Sequence, residues 1–173
     1  MTGYIQVYTG NGKGKTTAAL GLALRAAGHG MRTYIGQFLK GQHYGELTAV
    51  EKLSPLIRIE RFGREGFLHI TEGPDDEDIR RAREGLQNCR EAMLSGKYQI
   101  IILDEVNTAV LLKVLTEQDL LDFLAEKPDS VELVLTGRGA PQAVIDKADL
   151  VTEMKSLKHY YERGVKAREG IEK

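Results

Sequence analysis

Nine consecutive residues near the start of the chain, Thr9-Gly10-Asn11-Gly12-Lys13-Gly14-Lys15-Thr16-Thr17, have the make-up of a phosphate-cradling loop. In the pattern G-x-x-x-x-G-K-[ST], glycines let backbone N–H groups turn toward phosphate oxygens. The lysine adds a point charge, and the hydroxyl can ligate Mg²⁺. Gly14-Lys15-Thr16 supply the second half of that pattern. The first glycine position is held by Thr9 instead, with glycines at 10 and 12.

Two further groups lie downstream. The apolar run Ile100-Ile101-Ile102-Leu103 ends in Asp104-Glu105, and carboxylates at the carboxyl end of a central strand face the crevice where ligands bind. An acid there holds Mg²⁺ directly or through water. Leu135-Thr136-Gly137-Arg138-Gly139-Ala140-Pro141 follows another strand-like run, and Arg138 can pair with phosphate or stack on a base. Read alone, each is as easily a solvated strand end or turn. Following the loop in this order, they read as one nucleotide site.

The elements that must position these groups alternate. Residues 4–8 form a β-rich run entering the loop. From Lys15 to Ala27, apolar residues Ala19, Leu22, Ala23 and Ala26 recur at helical spacing, and Gly28 and Gly30 stop the helix. Strands are predicted at 33–38, 57–62, 99–103, 131–135 and 149–153, the 57–62 run alternating with period two as a half-buried strand near an edge does. Pro74 and the acids at 75–78 open a helix whose apolar face is Ile79, Ala82, Leu86, Cys89 and Met93. Thr116-Glu117-Gln118-Asp119 resembles a capping box opening a short helix that ends before Pro128. This alternation predicts an α/β fold with a mainly parallel sheet flanked by helices; with the glycine loop between its first strand and helix, the expected architecture is that of a P-loop NTPase (RecA-like).

At 173 residues the chain is expected to form a single domain, 1–173, with 155–173 as a mobile C-terminal tail that closes over the ligand. Lys plus Arg number 24 against 25 Asp plus Glu, and the net charge of −1 argues against a nucleic-acid or membrane-surface partner. The lone Cys89 excludes an internal disulfide and reads as core. His29 and His43 lack partners at zinc-ligand spacing. The absence of a leader or a long apolar stretch implies a cytoplasmic protein.

With these motifs in order, the chain resembles the P-loop corrinoid adenosyltransferases, acting on cob(I)alamin or cob(I)yrinic acid a,c-diamide. The loop with its Thr9 is similar to the family's own, as are Gln37-Phe38-Leu39-Lys40-Gly41, Gly45-Glu46, Asp104-Glu105-Val106-Asn107, residues 135–141, residues 148–154 and the tail at Lys158-His159 and 164–172. The resemblance implies that a Co(I) corrinoid attacks C5′ of ATP and inorganic triphosphate leaves. It implies residues 9–17 and Arg138 on the nucleotide, with Mg²⁺ (or Mn²⁺) held by Thr16 and Glu105, and Asp104 behind or in their place. Lys15 and Glu105 would then stabilise the leaving charge. Phe67, His69 and His159 would face the corrinoid. The family's G-x-G-F-x-W stretch reads here Gly63-Arg64-Glu65-Gly66-Phe67-Leu68-His69, so His69 either stacks beneath the ring or has no such part, and the preferred corrinoid stays open. A homodimer and a flavodoxin-like electron donor are further implications. The rival readings are a P-loop ATPase switch releasing ADP and phosphate, and a nucleotide-binding module without turnover.

Overall fold

The computed structural model describes residues 2–64 and 73–172. Strands β1 (Ile5–Thr9), β2 (Thr33–Phe38), β3 (Ile57–Phe62), β4 (Ile100–Asp104), β5 (Glu132–Thr136) and β6 (Leu150–Glu153) form one six-stranded sheet in the order β3-β2-β4-β5-β1-β6. Every pairing is parallel. Their carboxyl ends therefore share one edge, where open parallel sheets bind ligands.

Helices α1 (Lys15–Ala27), α2 (Gly45–Glu51), α3 (Asp76–Leu94), α4 (Val106–Leu111), α5 (Glu117–Ala125) and α6 (Gln142–Lys147) cover both faces. The period-two alternation of the strands divides the core in two. Ile101, Leu103, Leu133 and Leu135 pack with α3, α4, α5 and α6. Ile100, Ile102 and Val134 pack with the alanines of α1 and with Val50 of α2. The result is three layers, helices–sheet–helices, with β4 buried throughout.

Both predicted helix starts are present. Asp75 caps α3 with a reciprocal bond from Asp78, and Thr116 caps α5 with Asp119. Pro74 sits before the Asp75 cap rather than inside the first turn. Its fixed φ suits either position, and the Asp75 side chain decides where the helix begins. The short helices α2, α4 and α6 carry no periodicity that the sequence could show; each is seven residues or fewer.

Helix α3 lies close on β3 because Gly85 has no side chain. A β-carbon there would stand 2.4 Å from Phe62 Cγ. Gly85→Ala is expected to lower stability by about 1–3 kcal/mol through this overlap, outweighing the gain of about 1 kcal/mol that alanine brings to a helix. Urea unfolding checks this; an unchanged or raised midpoint would mean that Phe62 yields freely.

Candidate active site

The phosphate loop runs from the end of β1 into α1. It begins one residue later than the general pattern because Thr9 still belongs to the strand: it is buried, and its hydroxyl accepts a hydrogen bond from Ala140 N at 3.2 Å. Loop glycines then lie flat against the end of β6. Gly12 N donates to Met154 O at 2.6 Å, and Met154 N donates to Thr9 O at 2.9 Å. A β-carbon would meet Met154 O at 2.5 Å from Gly10 and at 2.7 Å from Gly12. Gly10 also has φ 93°, a region that disfavours any side chain. The glycines at 10 and 12 are thus required by a backbone approach.

Lys15 is the first residue of α1 and is 6% exposed. Its ammonium donates to Gly10 O and Gly12 O, both at 2.8 Å. Burial pushes its pKa below the ordinary lysine value, and nearby Arg138 adds to that effect against the pull of Glu105 and Asp104.

Asp104 is the hub beneath the loop. Oδ1 accepts from Thr16 Oγ1 at 2.9 Å and from Thr136 Oγ1 at 2.7 Å. Oδ2 accepts from Lys40 Nζ at 2.7 Å and from Gln37 Nε2 at 3.3 Å. Glu105, the next residue, has φ 62° and lies in the left-handed region, which turns the chain from β4 into α4 and sends its side chain to the cavity. Its backbone N–H donates to Thr136 Oγ1 at 2.9 Å. Thr108 Oγ1 donates to Glu105 Oε2 at 2.5 Å and accepts from Arg138 N at 2.9 Å, so the β4 and β5 turns are tied together.

A cavity of about 600 Å³, in the ordinary range for small-ligand sites, opens over these groups. Asn11, Gly12, Lys13, Gly14, Lys15, Thr16 and Thr17 line it, with Lys40, Glu105, Arg138 and His159. Thr9 and Gly10 support the loop from behind and Asp104 supports Thr16; none of the three lines the cavity. Phe67 and His69 lie outside the described residues.

The C-terminal segment forms one wall through His159, Gly170, Ile171 and Glu172. Lys13 Nζ donates to Tyr160 Oη at 3.1 Å, Ile171 O at 3.0 Å and Glu172 Oε1 at 2.7 Å. Glu172 is also held by Arg168 and by the Tyr160 hydroxyl, and with Arg168 as the largest influence its carboxyl titrates well below the usual range. This attachment is present above the ordinary glutamate pKa and is lost only in strong acid.

The donors fit a hard divalent cation. At its phosphate end the cavity offers the Thr16 hydroxyl and the Glu105 carboxylate, with Glu46 also in its lining, and no cluster of three His, Cys, Asp or Glu occurs among the described residues. So sparse a protein set suits Mg²⁺, which commonly completes its shell with phosphate oxygens and water.

Sequence reasoning missed Lys40, Gln37, Thr108 and Thr136 as members of the site. Gln37, Lys40 and Thr136 stood only within stretches resembling the family's near strand ends of the same sheet edge, and Thr108 lies in α4 just past Glu105. That Gln37 faces Asp104 depends on β2 lying beside β4, in register Gln37 to Asp104.

A glycine loop between strand and helix, an acidic strand end beside it and an all-parallel sheet define a P-loop protein. At the level of fold alone, the chain is similar to a KaiC-like protein from Pyrococcus horikoshii, with a TM-score of 0.51 and 16% identity over 88% of this chain and 73% of that one. The chain belongs to the family described as ATP:corrinoid adenosyltransferase BtuR/CobO/CobP, which matches it over residues 1–172. It is 34% identical to the corrinoid adenosyltransferase of Escherichia coli over 98% of this chain and 85% of that protein. With the corrinoid adenosyltransferase of a Sinorhizobium species, identity is 36% over 98% of this chain and 80% of that one. An uncharacterized protein of Nostoc is 38% identical over 92% of this chain, which spans only 45% of that relative's length.

Proposed function

We propose that the chain transfers the 5′-deoxyadenosyl group of ATP to the Co(I) centre of a corrinoid, releasing inorganic triphosphate. What carries this reading is family membership along residues 1–172, on a chain whose phosphate loop and acidic strand end converge on one cavity.

The chemistry needs no protein nucleophile. The cobalt lone pair forms the Co–C5′ bond as the C5′–O bond breaks, and the electron pair of that bond leaves with triphosphate. Charge therefore grows on the phosphate oxygens. Loop N–H groups and the Lys15 ammonium meet it, already oriented and shielded from water. Mg²⁺, held by Thr16 and Glu105 when bound, would neutralise further charge on the same oxygens. Asp104 fixes the Thr16 hydroxyl, and Thr108 fixes the Glu105 carboxylate. Arg138, His159 and the C-terminal wall enclose the remaining nucleotide. Phe67 and His69 would meet the corrinoid. A homodimer, a flavodoxin-like reductant and a cytoplasmic setting belong to the same proposal; among the described residues, no helix is long and apolar enough to cross a membrane.

One assay tests this. With ATP, Mg²⁺ and chemically reduced cob(I)alamin, the cobalt–carbon absorption change should appear together with triphosphate. ADP and phosphate with an unchanged corrinoid would instead establish a hydrolytic switch. Glu105→Gln should slow adenosylation by about 10–1000-fold, the range for lost transition-state charge stabilisation; an unchanged rate would remove Glu105 from the site.

A further inference from the structure

The loop after β2 brings a second lysine to the phosphate end of the cavity. Lys40 Nζ lies 2.7 Å from Asp104 Oδ2 and 3.2 Å from Thr16 Oγ1, and 5.4 Å from the centroid of the Tyr44 ring. Its side chain is 15% exposed and lines the same cavity as Lys15. Such a placement is not accidental slack in a surface side chain. Leu39, immediately before it, has φ 62°, a conformation a branched side chain rarely adopts. Gly63 at the end of β3 lets that turn pack down, since a β-carbon there would stand 2.5 Å from Lys40 N. Of the non-glycine residues with positive φ among those described, two are Leu39 and Glu105, each directly following one of two adjacent strands that feed the cavity. Strain kept at such points is compensated by surrounding structure and gathers at functional sites.

The charge balance then says what Lys40 does. An ammonium has three N–H donors, and among the described residues Asp104 and Thr16 take two. One remains, next to the helix N-terminus where phosphate oxygens collect. Lys15, meanwhile, shares its donors with two loop carbonyls.

We propose that Lys40 is a second lysine ligand of the triphosphate, carried by Asp104 and delivered by the strained turn at Leu39. It donates its remaining N–H to a phosphate oxygen without leaving Asp104. Triphosphate is thus bound between two ammonium groups on different strand ends, Lys15 after β1 and Lys40 after β2. This rests on the reading of the cavity as a triphosphate site and adds a ligand to it.

The test is the binding of inorganic triphosphate without divalent cation, measured by calorimetry. Lys40→Met should weaken it by about 10–100-fold, the worth of one charge-assisted hydrogen bond, and Lys40→Arg should recover most of the loss. The same loss should persist when Lys40→Met is compared with Lys40 intact in an Asp104→Asn background. If the loss disappears in that background, Lys40 acts only as the counter-ion of Asp104 and the assignment falls. It falls equally if Lys40→Met binds triphosphate like the wild type. Because adenosyl transfer is not read, a wild-type chain that binds triphosphate yet fails to adenosylate corrinoid overturns the proposed reaction and leaves this assignment standing.

Discussion

Asp104→Ala should destabilise the protein by about 3–5 kcal/mol, the cost of leaving one member of a buried ion pair without its partner. The residue is 1% exposed, and all four of its contacts are donors: two threonine hydroxyls, an amide and an ammonium. Alanine removes every acceptor at once. Lys40, its side chain only 15% exposed, is left without its countercharge. Asp104→Asn keeps the volume and part of the hydrogen bonding but not the countercharge, and should cost less than alanine. Combining Asp104→Ala with Lys40→Met should recover part of the loss, since removing both charges eliminates the unpaired one. Urea unfolding of the three variants measures these differences. An Asp104→Ala protein within about 1 kcal/mol of the wild type would mean that water reaches Lys40 freely.

Lys15→Met should weaken ATP binding by about 30–1000-fold. Charged hydrogen bonds to phosphate contribute about 1.5–3 kcal/mol each, and Lys15 also draws the loop together through Gly10 O and Gly12 O. Methionine removes both effects while filling the space. Lys15→Arg should not rescue binding, because the side chain is buried and a guanidinium is a rigid, larger fork. The sign of the pH response follows from burial. The ammonium form is disfavoured in the free protein, so its pKa is lowered and its charge is lost earlier on the alkaline side than for an exposed lysine. Affinity for triphosphate should therefore hold at neutral pH and decline as pH rises through that lowered value, and the decline should vanish in Lys15→Met. Binding titrations across alkaline pH decide it; a variant that binds ATP within about threefold of the wild type would displace the loop as the phosphate site.

What could be read from the chain follows from how far each signal reaches. Strands β2 and β3 and helix α1 emerged at their observed limits, because period-two and period-3.6 patterns are local. The cap at Thr116 was equally local, needing only a residue three places on, whereas the start of α3 was read from Pro74 and its acids and not from the Asp75 cap. Loop, acidic strand end and Arg138 could be found since each adjoins a strand end, and all strand ends of one parallel sheet meet. Lys40 could not, for its meaning depends on which strand lies beside β4, and strand order is a property of the assembled sheet. The same holds for Tyr160 and Glu172, which reach Lys13 across about 150 residues of intervening chain. Thr9 looked like a missing glycine until the strand end showed that the turn starts one residue later.

The register that sets Gln37 opposite Asp104 has an engineering consequence. The donor end of the cavity is anchored on β1, β2 and β4, whose spacing is fixed by backbone hydrogen bonds rather than by loop conformation. Phe67 and His69 fall in the sequence between β3 and α3, outside those three strands. On the proposed reading, substitutions at Phe67 or His69 should change acceptor preference like a tool head on a fixed handle, while the affinity for inorganic triphosphate stays as it is.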